Sequence, residues 1–384
     1  MAYTHTPEKT FSAPLRQSSI SECLRCKRCF MFRHRWGLVP KSMSVPTAAT
    51  RGRIIHAVLS FPVTPEGDKA LTDWKAGTTA ALEKLIAETG DPLGTLADQI
   101  AHFENTFAVA AMFRSLMAEK FAPPSYMQTL CTEEPVSFTF TSPELQAANV
   151  PVFTLSSRLD RLVLDTRPDS RSVWVRDFKT TERDPVQTLT GYAYSIQCRL
   201  YRMAAEAYLA SCPLPDGAAD VTGFILDVLR LPSITLSAAD RDFKVVNKTL
   251  KSGPRKGETV AEKIYYGEPK LANYINRCAE WYDNNQYDAI QSYPIRYIGG
   301  ALDKEFLSVL YTAHRYMNIE EPISANFPRD LTRSYCVNYG RVCDYYGLCS
   351  SDEAAWPSLI ETRYTVVDPN TADAELYDVH HSIQ

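Results

Sequence analysis

Residues 173–181 read VWVRDFKTT, and their alternation decides the fold. Valine, tryptophan, phenylalanine and threonine at this density predict a strand over Val173–Lys179. Side chains along a strand alternate between faces, so Asp177 and Lys179 share one face while Phe178 turns into the core. Upstream, SRLDRLV predicts a second strand over Phe153–Leu164, and the turn DTRPDSR, broken by Pro168, joins the two. That hairpin brings Asp160 beside Asp177 and Lys179. Two carboxylates and a lysine on one face suit a divalent cation and a water aimed at a phosphodiester. An isolated D-x-K also occurs as a solvated cross-strand pair, so the neighbours must decide.

Downstream, Leu189–Ala210 predicts an amphipathic helix whose stripe is Leu189, Tyr192, Ile196, Leu200, Met203 and Ala207. Gln197 and Tyr201, four apart, share a face at the foot of the same site. A short helix over Gly52–Leu59 carries Arg53 and His56, whose neutral imidazole suits a metal. Strands are also expected at Val136–Phe140 and Val221–Leu229, with Glu134 either an outer acid of the site or a surface glutamate. Helix, three strands, helix, strand is the order of an α/β fold, a central mixed β-sheet flanked by helices. Residues 68–120 predict a helical insertion, 238–270 an exposed charged loop with KSGPRKGE at its tip, and 271–290 and 303–317 further helices.

The composition fits this. The 384 residues are 45% hydrophobic and 22% charged, enough for one elaborate domain or two modest ones. No run approaches the roughly 18 apolar residues of a membrane span, and the first twenty residues hold no export-type apolar core. A cytoplasmic protein with no membrane partner is expected, its ten cysteines buried thiols, metal ligands or reactive groups rather than disulfides. Six of them form two groups, Cys23, Cys26 and Cys29, and Cys336, Cys343 and Cys349, suited to a four-thiolate zinc or iron–sulfur site joining the chain ends. Cys131, Cys198, Cys212 and Cys278 lie singly, as buried thiols do. Lys+Arg number 41 against 45 Asp+Glu, yet Cys23 to Arg53 holds eight basic residues and no acid. Such a run is either a solvated helix face or a phosphate-facing surface, here formed by Arg25, Lys27, Arg28, Arg33, Arg35, Arg51 and Arg53 with Lys41.

Asp160, Asp177-Phe178-Lys179, Gln197, Tyr201 and the preceding Gly52-x3-His56 resemble the RecB-like branch of the PD-(D/E)XK nuclease superfamily, which has a restriction-endonuclease-like core. The cysteines are similar to its iron–sulfur subgroup, the AddB-type nucleases and CRISPR adaptation exonucleases. Ser19, Cys26, Phe30 and Gly37 fit that subgroup's spacing, which selects Cys26 over Cys23 and Cys29; Lys27 replaces its usual proline, and the later cysteines are spaced differently. The resemblance implies that His56, Asp160, Asp177 and the Phe178 carbonyl hold Mg²⁺ or Mn²⁺. It implies that Lys179 orients the water, that Gln197 and Tyr201 position DNA or the lysine, and that Cys26, Cys336, Cys343 and Cys349 hold a 4Fe-4S cluster, with Zn²⁺ the alternative.

The implied activity is a metal-dependent exonuclease on single-stranded DNA or duplex ends, serving recombination, repair or phage or CRISPR DNA processing in a bacterial cytosol. No G-x4-G-K-[ST] appears, so any helicase motor or recombination partner is another chain. A non-catalytic nucleic-acid-binding scaffold and a zinc-stapled binding module are the alternatives. The expected layout is a flexible lead at 1–18, a single nuclease domain at 19–350 and a tail at 351–384. Within the domain, 19–67 carries the first cluster cysteine and basic helices, 68–130 the insertion, 131–230 the αβββαβ core, and 231–350 a helical, cluster-binding segment.

Overall fold

The protein is described by a computed structural model over residues 10–41, 48–89, 95–120, 124–141, 152–181, 185–189, 191–214, 220–234, 236–298, 301–330, 336–338 and 341–369. Its principal strands are β1 (Met127–Phe140), β2 (Phe153–Asp165), β3 (Ser172–Thr181), β4 (Val221–Arg230), β5 (Asp242–Thr249), β6 (Thr259–Tyr266) and β7 (Ile290–Arg296). The longer helices are α1 (Gln17–Arg25), α2 (Ala48–Ser60), α3 (Pro65–Thr89), α4 (Thr95–Lys120), α5 (Ile196–Ser211), α6 (Leu271–Ala289) and α7 (Ala301–Met317).

A five-stranded mixed sheet in the order β1-β2-β3-β4-β7 forms the centre, flanked by helices as expected. β3 and β4 are parallel and the other neighbours antiparallel. A parallel pair needs a crossover, and α5 supplies it. Ser195 caps α5, its hydroxyl accepting from the Cys198 amide at 3.1 Å. On one face of the sheet, Ile54, Ile55, Val58, Phe113, Phe178 and Tyr282 bury the inner sides of α2, α4 and α6. On the other, Val173, Val175, Phe224, Cys198, Ala204 and Ala205 bury α5. Each fully buried large aliphatic or aromatic side chain stabilises by about 1.5–3 kcal/mol. Phe178 and Asp177 thus face opposite layers, as the alternation predicts.

A third cluster joins the chain ends. Phe30, Phe32, Trp36, Phe327 and Trp356 are fully or almost fully buried together. Trp36 and Trp356 meet edge to face at 5.6 Å. Residues Leu38–Pro40 pair antiparallel with Tyr364–Val366.

Several expectations are corrected. The helix expected over Ser19–Arg35 breaks at Cys26, whose backbone is extended, and restarts at Lys27. The helix expected from Leu189 begins at Ile196, because Gly191 at φ 79° makes a left-handed turn before it. Leu189 and Tyr192 therefore lie off its stripe. Residues 238–270 are mainly the two-stranded β5–β6 ribbon rather than a loop. β7 went unread because Pro294 interrupts its pattern, which an edge strand tolerates. The lead is not loose throughout: Leu15 is buried and hydrogen-bonds through its backbone to Thr154 and Ser156. Nor does the tail begin at 351, since buried Trp356 and Tyr364 belong to the terminal cluster. Residues 1–9 and 370–384 lie outside the described residues. Among those described, no helix is long and apolar enough to cross a membrane.

Candidate active site

β2 and β3 stay paired from Asp165–Ser172 only as far as Arg161–Arg176. Beyond that rung they part, and Asp160 and Asp177 are the next residues on each strand. Asp177 is completely buried. Its Oδ2 accepts from the Tyr192 hydroxyl at 2.8 Å and pairs with Lys179 Nζ at 2.9 Å. Its Oδ1 accepts from Gln197 Nε2 at 3.3 Å. Asp160 Oδ1 accepts from the Tyr201 hydroxyl, also at 3.3 Å. Gln197 and Tyr201 thus reach the two carboxylates from one face of α5, as their spacing predicts.

His56 arrives from the opposite layer. Its Nε2 donates to the Phe178 carbonyl, and its Nδ1 lies 3.2 Å from Asp160 Oδ2. Burial and the Lys179 charge push the imidazole below its ordinary range, so the ring is neutral. With Nε2 carrying the proton, a bare Nδ1 faces a carboxylate oxygen; Asp160 Oδ2 is buried and makes no hydrogen bond. His56 Nδ1 and Asp160 Oδ2 thus converge at a separation that two ligand atoms of one cation can take. Gly52 lets the helix come close enough: a Cβ there would stand 2.9 Å from Thr180 Oγ1 on β3.

A third candidate ligand has no signal in the sequence. Ligand atoms of His56, Glu133 and Asp160 all lie within 4.8 Å of one another. The register pairing Thr132 with Arg161 and Glu134 with Leu159 sets Glu133 across from Asp160. Glu133 also holds a left-handed φ of 51°, strain of the kind that gathers at functional sites. Glu134 instead neighbours Cys131 and Tyr208. Only the register chooses between two adjacent glutamates, and it depends on an irregularity between Thr129 and Cys131. Tyr192 was missed because it was placed on an apolar stripe.

The charges reinforce one another. Burial and the Asp177 charge push Asp160 well above the usual carboxylate range. Burial pushes Asp177 the same way, but the Lys179 ammonium together with hydrogen bonds from Asp160 and Lys179 outweighs it and holds that carboxylate low. Burial disfavours the Lys179 charge, and Asp177 and Asp160 more than restore it, so Lys179 remains a cation. Burial likewise raises Glu133. Acids crowded this way ionise together readily only when a divalent cation joins them.

A family model of the PD-(D/E)XK nuclease superfamily matches residues 14–297. The chain belongs to that superfamily. No curated protein matches the chain. Asp177, Phe178 and Lys179 have the D-x-K form found in the superfamily's name and lie on β3, within the matched range.

Outside the matched range, the later cysteines meet the first group. Cys26, Cys29, Cys336, Cys343 and Cys349 line one cavity with Arg329, Asp330 and Tyr346. The spacing selects Cys26 alone of the first group, yet Cys29 Sγ is 3.4 Å from Cys343 Sγ. Cys23 turns into the apolar core, where burial pushes its thiol up to about 11. A hydrogen bond from Cys29 pulls Cys26 down to about 5, toward the thiolate that metals bind.

The basic residues mostly serve the fold. Arg28, almost fully buried, donates to the Phe327 and Ser324 carbonyls at 2.7 and 2.6 Å. Arg35, also buried, donates to the Phe11 and Tyr316 carbonyls at 2.6 and 3.1 Å. Neither is free to face DNA, which corrects that expectation. Arg25 and Arg33 pair with Glu22, the residue immediately before the acid-free run. Lys27 reaches the Leu24 carbonyl at 3.5 Å, and Arg51 is half-buried near Tyr274 and Tyr282. The Arg53 side chain lies outside the described residues.

Proposed function

We propose that the protein is a Mg²⁺- or Mn²⁺-dependent deoxyribonuclease that degrades single-stranded DNA or duplex ends as an exonuclease. The observation that carries the metal-dependent reading is the unbonded, buried Asp160 Oδ2 facing the bare Nδ1 of His56, with Glu133 in reach of both. Two carboxylates and one imidazole are a hard, mixed donor set of the kind Mg²⁺ and Mn²⁺ accept. The exonucleolytic mode and a role in recombination, repair or phage or CRISPR DNA processing follow from the resemblance to the RecB-like branch.

In this reading His56, Glu133 and Asp160 hold the ion, with Asp177 beside them. When bound, the cation supplies Lewis-acid stabilisation of charge at the scissile phosphate. Asp177 fixes Lys179 by the 2.9 Å ion pair, and Tyr192 and Gln197 fix Asp177 in turn. The Lys179 ammonium then orients the attacking water and offsets the negative charge that grows on the phosphate. Tyr201 orients Asp160 toward His56.

We further propose that Cys336, Cys343 and Cys349, with Cys26 as the fourth thiolate, hold a 4Fe-4S cluster that ties the chain ends together, with Zn²⁺ as the alternative. The shared cavity supports a soft-metal site, and the apolar cluster beside it supports a structural role. Iron and zinc analysis of anaerobically purified protein separates the two: brown protein holding iron supports the cluster, and colourless protein holding zinc overturns it.

The function is tested with a labelled linear single strand and the same sequence as a closed circle, each with Mg²⁺ or Mn²⁺. Shortening of the linear strand with the circle intact is the expected result. Cleavage of the circle overturns the exonuclease assignment, and no cleavage of either overturns the nuclease.

A further inference from the structure

The β5–β6 ribbon takes no part in the site described above. Its strands pair from Asp242–Tyr266 to Thr249–Thr259, and nearly every side chain along it is exposed. A two-stranded ribbon is at best marginal alone in water, and exposed large apolar side chains add a further cost. Phe243, Val245, Ile264, Tyr265 and Tyr266 are all 43% exposed or more.

The pattern is specific. Phe243 faces Tyr265 across the strands at 5.9 Å, and Lys263 Nζ sits 4.2 Å from the centre of the Phe243 ring. One face of the ribbon therefore presents two adjacent aromatic rings and a cation. Residues 241–270 hold eight Lys or Arg against four Asp or Glu. Lys248, Arg255 and Lys270 are paired with acids, whereas Lys251, Lys256 and Lys263 are exposed and make no ion pair among the described residues. Gly253 and Gly257, at φ 86° and 92°, fold the tip that carries Lys251 and Lys256.

The base of the ribbon is fixed. Asp240 is fully buried, receives Arg277 from α6 at 2.7 and 2.8 Å, and its carbonyl accepts from Lys270 and Asn273 at 2.9 Å. The ribbon is reached from the end of β4, where Arg230 pairs with Thr181 and the Leu231 amide bonds the Thr181 carbonyl at 2.6 Å. Thr181 lies two residues beyond Lys179, so the arm leaves the sheet at the end that carries the D-x-K.

We propose that the β5–β6 ribbon is a single-stranded DNA-binding arm, in which bases stack on Phe243 and Tyr265 and phosphates run along Lys263, on the same face, and Lys251 and Lys256 at the tip. Exposed rings interleaved with unpaired lysines match a single strand, which offers a π-face and a phosphate at every step. The choice of DNA as occupant rests on the nuclease reading. The arm holds the strand beside the catalytic end of the sheet without touching the reacting atoms.

The test is fluorescence anisotropy of the full-length protein with a labelled single strand of about 20 nucleotides in EDTA, where cleavage does not intervene. Two exposed-site variants are used, Phe243→Ala with Tyr265→Ala, and Lys263→Gln with Lys251→Gln and Lys256→Gln. Losing two stacking rings is expected to weaken binding by at least tenfold. Losing three phosphate contacts is expected to lower the slope of log K against log salt by about 2. Both variants are expected to melt as the wild type does. Wild-type affinity and slope in both variants overturn the arm, as does a wild type that binds no single strand. If the arm variants lose binding while the wild type cleaves nothing, the arm stands and the nuclease reading falls. If the wild type cleaves and neither variant loses binding, the reverse holds.

Discussion

Replacing Arg28 by methionine separates a structural arginine from a DNA-binding one. The guanidinium serves two carbonyls, those of Phe327 and Ser324, approaches Glu353 at 3.9 Å, and lies 5.7 Å from the Trp356 ring. Methionine keeps much of the apolar stem against the tryptophan, so packing changes little. It leaves both carbonyls without their donor, at roughly 1–3 kcal/mol each. Removing the guanidinium's own desolvation cost offsets part of this, so a net loss of about 2–4 kcal/mol is expected. With m near 3 kcal/mol/M, the urea midpoint should fall by about 1 M. Tryptophan fluorescence is the natural probe, because Trp36 and Trp356 both sit in the cluster that Arg28 braces. Lys27→Gln, at a half-buried position beside it, should move stability by less than about 0.5 kcal/mol. An unchanged midpoint together with weakened, less salt-sensitive DNA binding would refute the structural assignment.

Asp160→Asn should abolish metal-stimulated cleavage, by about a thousandfold, while leaving the melting temperature in EDTA unchanged or higher, because it replaces an acid, whose ionisation beside buried Asp177 is disfavoured, with a neutral group of the same shape. A lower melting temperature with cleavage intact would contradict this. Tyr192→Phe should slow turnover about tenfold with little change in KM, since it deletes one hydrogen bond to a buried carboxylate; single-turnover kinetics read this directly. Glu22 is almost fully buried; burial raises its carboxyl, but Arg33, His34 and Arg25 outweigh this and hold it down at about 2. A depressed carboxyl contributes stability that is complete above its ordinary value of 4.5 and is lost as pH falls toward 2, roughly 3 kcal/mol in all. Urea midpoints measured between these pH values should show that acid limb in the wild type, and Glu22→Gln should flatten it.

The sheet was legible because its central strands are short-period, β-branched runs buried on both faces, and VWVRDFKTT is one of them. Asp160, Asp177, Lys179, Gln197 and Tyr201 were legible because strand and helix periodicities set them on shared faces, whereas His56 joins them through the Gly52-x3-His56 spacing of the resembled family. Glu133 was not, since adjacent glutamates are separable only by a register that includes an irregularity. Arg28 and Arg35 read as a phosphate surface because the acid-free window began one residue after Glu22, and carbonyl partners some 280 to 300 positions away leave no local mark. The ribbon reads as a loop in the sequence because its exposed strands carry charge on both faces, so no apolar stripe distinguishes them.

The central claim is that Asp177 and its neighbours form a metal-dependent phosphodiesterase site. It is tested most directly by the rate at which wild type and Asp177→Asn release nucleotides from a labelled single strand, with Mn²⁺ and again after chelation. Nucleotide release is expected only from the wild type and only with metal. Equal release by both proteins, or release that survives chelation, would contradict it.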